Sequence, residues 1–325
     1  MLKSVLLFAV GLVLLIKGGD WFVDGATGIA KRFNLPDIVV GATVVSIGTT
    51  LPEVMVSTTG ALAGSGAMAY GNAIGSIICN TALIAAISIV CNPGPVNTKS
   101  MKTPAIFFFG AAALYCVASY VLGEFPRWMG FVMLSIFVVY MILTVRNGMK
   151  NPDSIEEEHE EEEDKERALW QELVLLVVGA AVIAFGADKL VEHGQIIAIG
   201  LGVPETVVAL LFVALGTSLP ELVTTITSLR SGHASLGVGN VIGANVFNLV
   251  LVSGVAVSLA PFPVPCENTL LNTGLNMSLV FEIPVMLGVM SLMIFPTLAS
   301  KKLARWQGIA LLGIYAAFCV CQFVL

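Results

Sequence analysis

Long apolar runs, broken by short polar or Pro/Gly-marked connections, dominate the chain. Ten of them reach the length a bilayer demands of a helix: roughly 3–25, 37–62, 69–91, 104–122, 128–146, 170–193, 204–229, 236–260, 277–297 and 306–324. Connections are marked by clusters such as Cys91-Asn92-Pro93-Gly94-Pro95 and Pro261-Phe262-Pro263-Val264-Pro265. One hydrophilic stretch, between the fifth and sixth runs, divides the ten into two sets of five. It carries nine Glu and Asp between Glu156 and Glu166. The expected fold is an all-α polytopic membrane protein, with a first repeat over 1–146, an acidic loop over 147–169 and a second repeat over 170–325.

Composition agrees with this pattern: 57% of residues are apolar, 12% are charged and the mean hydropathy is +0.92. The first run could pass for a signal peptide, but only Lys3 precedes it and no small-residue cleavage site follows, so it is read as a spanning helix. Most Lys and Arg, including Lys31, Arg32, Lys99, Lys102, Arg146, Lys150, Arg230, Lys301, Lys302 and Arg305, fall in connections after odd-numbered runs. The positive-inside rule then puts both termini outside and the acidic loop in the cytoplasm, for a protein of the cell membrane.

The two sets of five are copies. With an offset of 168 residues, Asp20 matches Asp188, Pro36 matches Pro204, Gly71-Asn72 and Gly75 fall on Gly239-Asn240 and Gly243, and Asn80 falls on Asn248. Five spans is an odd number, so the second copy enters the membrane from the side opposite the first. The expectation is therefore two inverted five-helix repeats, with the motif-bearing helices 2 and 7 meeting near the midplane.

The strongest match is Gly48-Thr49-Thr50-Leu51-Pro52-Glu53 with Gly216-Thr217-Ser218-Leu219-Pro220-Glu221. A carboxylate in a spanning helix is expensive, and intramembrane carboxylates mark ion pathways. Pro52 and Pro220 have no N–H, so the carbonyls of Gly48 and Gly216 lose their helical donors and helices 2 and 7 should be broken. Freed carbonyls, Thr hydroxyls and a carboxylate within one turn are hard oxygen ligands, suited to Na⁺ or Ca²⁺. Thr49 and Glu53, like Thr217 and Glu221, are four residues apart and share a helix face. The next span of each half adds Ser76 and Asn80, or Ala244 and Asn248. Helix–helix hydrogen bonding is the competing account of these hydroxyls and amides, and for Asn72 and Asn240 the two accounts balance.

Other chemistry is sparse. Cys79, Cys91, Cys116, Cys266, Cys319 and Cys321 show neither metal nor disulfide spacing and read as small hydrophobes. His159, His193 and His233 are ungrouped and expected in loops, and the acidic run lacks the spaced ligands and turn glycine of a calcium loop. Asp20, Asp24, Asp188 and Glu192 lie near span ends, where a solvated role is expected. No phosphate-binding Gly-rich loop is found, and neither an enzyme activity nor a cofactor is expected.

The doubled Gly-Thr-Thr/Ser-Leu-Pro-Glu segment, each copy followed by Gly-Asn-x-Ile-Gly, resembles the paired alpha-repeats of the sodium/calcium exchanger family within the cation/Ca²⁺ antiporters. That resemblance covers essentially the whole chain. It implies ten helices and antiport of Ca²⁺ against Na⁺ by alternating access. It also implies a central site made by Glu53, Glu221, Thr49, Thr217, the backbone carbonyls near Ser46 and Ala214, Ser76, Asn80 and Asn248, with Thr50 and Ser218 close by. Departures are visible. Gly243-Ala244-Asn245 lacks the hydroxyl of Ser76, which would weaken a sodium site on that side. The Asn at 80 and 248 argues against potassium dependence. The expected partners are Ca²⁺, Na⁺ and the lipid bilayer, with no nucleotide or nucleic acid. One chain carries both halves of the site, so a monomer would be enough. A Ca²⁺/H⁺ exchanger, a cation channel and a sensor with a vestigial site are the alternatives.

Overall fold

The computed structural model describes residues 2–33, 35–150, 167–200, 216–265 and 276–324. Its helices are α1 (Leu2–Arg32), α2 (Asp37–Leu62), α3 (Gly66–Cys91), α4 (Thr98–Leu122), α5 (Arg127–Lys150), α6 (Leu169–Gly200), α7 (Leu219–Arg230 as described), α8 (Ala234–Leu259), α9 (Ser278–Ser300) and α10 (Arg305–Val324). Eight of them, all but α7 and α10, are long and apolar enough to cross a membrane. At twenty residues α10 also has a spanning length.

Local chemistry sets several ends. The side chain of Asn97 accepts from the backbone N–H groups of Lys99 and Ser100, capping α4. Gly64 (φ +83°) and Gly232 (φ +81°), repeat mates, take the left-handed conformation just after α2 and α7. Helix α1 outruns its apolar stretch. Its basic end is held by the Arg32 Nε to Glu172 Oε2 contact at 3.3 Å and by Arg32 donating to the carbonyl of Arg167 at 2.7 Å. Helix α6 likewise runs past its expected end, which corrects the placement of His193: it lies within α6 and is buried, because the apolar pattern continues through Ile196 and Ile197.

Two small antiparallel ladders report the topology. β1 (Gly94–Pro95), after α3, pairs with β4 (Lys302–Leu303), between α9 and α10. β2 (Glu124–Phe125), after α4, pairs with β3 (Phe262–Pro263), after α8. Helix α4, about 37 Å long at 1.5 Å per residue, separates β1 from β2. The ladders therefore mark opposite ends of the bundle. β1 and β3 follow the third helix of each repeat, yet they lie at opposite ends, which is the inverted arrangement.

The packing divides into two regions. α1 and α6 lie along each other through small residues: a Cβ on Gly11 would sit 2.9 Å from the carbonyl oxygen of Gly186, and the reverse contact is also 2.9 Å. The remaining helices enclose a core in which α8 is the most buried span. There Gly41 and Gly239 let α2 and α8 touch backbone to backbone. A Cβ on either would come within 2.2 Å of a carbonyl oxygen, that of Leu236 or of Ile38 respectively. Asp20, Asp24 and Glu192 stand partly exposed beside Lys17, Arg167 and Lys189, as solvated pairs.

Candidate cation site

Helix α2 runs on through its carboxylate but is irregular ahead of it. Residues Gly41–Val45 form a π-turn, and Pro52 lies within the helix one residue before Glu53. Three carbonyls in and beside the π-turn accept from hydroxyls. Thr43 Oγ1 donates to Val39 O at 2.7 Å, Ser46 Oγ to Gly41 O at 2.8 Å, and Tyr140 Oη from α5 to Ala42 O at 2.8 Å. In the second repeat the irregularity takes another form: Thr217 and Ser218 make a turn, and α7 restarts at Leu219 with Pro220 in its first turn. Proline is tolerated there because the N–H it lacks has no helical partner anyway.

Behind these irregularities stand the two carboxylates. Glu53 and Glu221 are each 0% exposed, and all four of their oxygens lack a hydrogen-bond partner among the described residues. Each lies within reach of the other repeat. Glu53 feels the charge of Glu221, and Thr49 and Thr50 stand beside the Glu221 carboxylate without closing a hydrogen bond of normal geometry. The Thr50 hydroxyl, the Ser218 hydroxyl and both amide atoms of Asn80 and of Asn248 are likewise buried without partners. Asn80 and Asn248 occupy equivalent places, each opening a π-turn, Asn80–Ala85 in α3 and Asn248–Val252 in α8. π-turns inside helices are rare and concentrate at functional sites. Ser76 is buried one turn before Asn80, and its counterpart Ala244 is buried with no hydroxyl to offer.

Asn72 and Asn240 resolve into braces. Thr49 donates to Asn240 Oδ1 at 3.1 Å, and Thr217 donates to Asn72 Oδ1 at 3.4 Å, so each amide orients the motif of the opposite repeat. Asn72 also donates to the Glu53 carbonyl and to Ser57 Oγ, at 3.2 and 2.8 Å. Ser46 spends its hydroxyl on Gly41 and on Asn240, whose carbonyl it meets at 3.0 Å. Ala214 lies outside the described residues. Sequence reasoning missed Tyr140, a single tyrosine in an apolar helix with no motif around it. It missed the π-turns as well, whose dihedrals carry no composition signal.

Glu53 and Glu221 thus stand buried among unsatisfied oxygens, with no cationic side chain paired with them among the described residues, and hard oxygen donors of this kind suit a cation. The comparisons with known proteins bear on which kind. The profile of the sodium/calcium exchanger protein family matches residues 3–146 and 172–324. The chain belongs to that family.

Within the family, the chain is 29% identical to the sodium/calcium exchanger MaX1 of Methanosarcina acetivorans, covering 98% of both chains. It is 33% identical to an uncharacterized membrane protein of Methanocaldococcus jannaschii, over 95% of this chain and 94% of that one. Among solved structures, the sodium-calcium exchanger NCX_Mj soaked with 2.5 mM Na⁺ and 10 mM Sr²⁺ superposes with a TM-score of 0.80 at 31% identity, over 98% of each chain. The chain is thus a multi-pass membrane protein of ten helices in two inverted repeats, and a member of a family of transporters.

Proposed function

We propose that the chain exchanges Ca²⁺ for Na⁺ across a cell membrane by alternating access, through a central site built on Glu53 and Glu221. The observation that carries this reading is the burial of both carboxylates with four oxygens unpartnered among the described residues. Enclosing two such charges without compensation costs several kcal/mol per ion even after relaxation. One Ca²⁺, or two to three Na⁺, brings the site near neutrality. Thr49, Thr50, Thr217, Ser218, Ser76, Asn80 and Asn248 supply further oxygens, with backbone carbonyls near Ser46 and Ala214.

The neutralised site is what permits the switch of access, because only then does the carboxylate pair pass through a closed, dry intermediate at tolerable cost. An uncompensated pair stays open to water on one side, which makes the exchange obligatory. Residues 1–146 and 170–325 form the two halves, and 147–169 is a cytoplasmic connector with both termini outside.

The test is uptake of ⁴⁵Ca²⁺ into proteoliposomes loaded with Na⁺ and diluted into Na⁺-free medium, beside choline-loaded and pH-gradient controls. Uptake that requires internal Na⁺ is the expected result. Uptake driven by the proton gradient alone overturns the Na⁺ coupling and makes the carboxylates proton carriers. Flux that neither saturates nor needs a counter-ion would identify a channel.

A further inference from the structure

A third intramembrane carboxylate, Glu282, lies in α9 at the end of the bundle marked by β2 and β3. It is half-buried and closes the π-turn Ser278–Glu282. Ser278 Oγ donates to Glu282 Oε2 at 2.8 Å, and Gln322 Nε2 from α10 donates to Oε1 at 3.3 Å. No Lys, Arg or His pairs with it among the described residues.

Around this carboxylate stands a group of hydroxyls that the central site does not use. Tyr70 of α3 sits beside Ser119 of α4 and Ser278 of α9, while Tyr115 of α4 sits beside Ser253 of α8. Ser278, which donates to Glu282, thereby links the carboxylate to the tyrosine pair. Tyr70 Oη, Tyr115 Oη and Ser119 Oγ are all buried, and none closes a hydrogen bond of normal geometry with another described residue. The two tyrosine rings are 5.6 Å apart, and Phe125 of β2 packs on both, at 5.9 and 4.6 Å. Phe262 of β3 backs Phe125 at 5.4 Å. An aromatic plug thus separates the hydroxyls from the β2–β3 end.

Three unsatisfied hydroxyls in one buried place cost free energy unless water or an ion meets them. Two of the π-turns flank the cluster: Val117–Leu122 carries Ser119, and Ser278–Glu282 carries the serine and the carboxylate. Neither belongs to the repeated motif that builds the central site, so that site does not account for them.

We propose that Glu282, Ser278, Tyr70, Tyr115 and Ser119 form a second cation-binding site, distinct from the central pair and suited to one monovalent cation such as Na⁺. The ligand chemistry sets the class. Oxygen donors select hard cations, and a single carboxylate among neutral hydroxyls is balanced by a single positive charge. A divalent ion would leave an uncompensated charge. The site connects to the centre through Ser253, which stands beside Tyr115 and donates to Asn248 O at 2.9 Å. Occupancy there is therefore placed to bias the π-turn that presents Asn248. The proposal rests on this cluster alone and stands whichever ion the central site couples to.

The test uses the full chain carrying Glu53→Gln and Glu221→Gln, so that the central carboxylates contribute nothing. Thermal unfolding in lipid nanodiscs is followed while NaCl or KCl replaces choline chloride at constant ionic strength, with CaCl₂ as a further arm. A saturable, monovalent-dependent rise in Tm is expected. Adding Glu282→Gln should abolish it, and Ser119→Ala or Tyr115→Phe should raise the half-saturating concentration about five-fold, one hydrogen bond's worth. If Glu282→Gln does not fold, the two hydroxyl variants carry the test. No saturable rise, or one that these substitutions leave unchanged, means the hydroxyls hold water only and overturns the proposal. A rise with micromolar Ca²⁺ overturns the monovalent assignment.

Discussion

Thr49 and Asn240, 191 positions apart in sequence, meet in a buried hydrogen bond of 3.1 Å that ties the motif of one repeat to the third helix of the other. Ser46 Oγ donates to the backbone carbonyl of Asn240 at 3.0 Å and reaches its Oδ1 at 3.3 Å, so Asn240 fixes two residues of α2 at once. Asn240→Leu should therefore leave the Thr49 hydroxyl buried without its acceptor and cost about 1–3 kcal/mol of stability. Thermal unfolding in detergent measures the loss. Asn240→Asp, which keeps an acceptor at Oδ1, should recover part of the stability but add a buried charge. An Asn240→Leu variant as stable as the parent would show that the brace contributes nothing.

The carboxylates make an opposite prediction for stability and for ion response. In cation-free buffer, Glu53→Gln or Glu221→Gln removes a buried charge that no described residue compensates, and Tm should rise. In saturating Ca²⁺ the order should reverse. The parent gains about 2.7 kcal/mol at a ligand concentration one hundred times Kd, while the variants gain little. Calcium-driven exchange should be abolished in both. Retention of full Ca²⁺ flux by Glu53→Gln would remove the central site from the mechanism.

Backbone contact between α2 and α8 should tolerate no side chain. Gly239→Ala places a Cβ 2.2 Å from Ile38 O, and Gly41→Ala places one 2.2 Å from Leu236 O. Neither neighbour is a flexible side chain, so the helices must part and the π-turn at Gly41–Val45 must shift. Both variants should lose exchange activity and yield of folded protein. Gly313→Ala in α10, whose Cβ meets no described atom within 4 Å, should behave as the parent. Size-exclusion profiles and ⁴⁵Ca²⁺ uptake read the difference.

What the sequence made legible, and what it did not, divides along physical lines. Apolar runs long enough for a bilayer are a one-dimensional property, so α2 is found at 37–62, as expected, and most other helices fall within a few residues of their runs. The repeat is equally one-dimensional, and Glu53 and Glu221 follow from it because an intramembrane carboxylate has few structural uses. The roles of Asn72 and Asn240 were not legible, because an amide that braces a helix and one that binds an ion look alike until a partner at 3.1 Å appears. Nor was Glu282 singled out. It lies outside the paired motifs, and only the folding of α3, α4 and α8 around it gathers hydroxyls from four segments into one place. His193 was misplaced in a loop because helix ends beyond an apolar run are set by tertiary contacts rather than by composition.

The departure at Ala244 yields the last prediction. Ser76 and Ala244 hold equivalent buried positions, one turn before Asn80 and Asn248 on helices that pass the two carboxylates. If both positions face the ion path alike, the second repeat lacks one hydroxyl ligand. Ala244→Ser would restore it at the cost of one buried hydroxyl, which an ion can satisfy and the apolar wall cannot. A further oxygen should be felt most by an ion held by few ligands, so the half-saturating Na⁺ concentration should fall severalfold, one hydrogen bond's worth being about 1 kcal/mol or five-fold. Half-saturation by Ca²⁺, which draws on both carboxylates, should move less. The measurement is the Na⁺ dependence of ⁴⁵Ca²⁺ efflux from proteoliposomes, with Ser76→Ala as the mirror experiment. That substitution should raise the Na⁺ requirement by a similar factor. Equal shifts for Na⁺ and Ca²⁺ in either variant would show that the hydroxyl positions the helix rather than the ion.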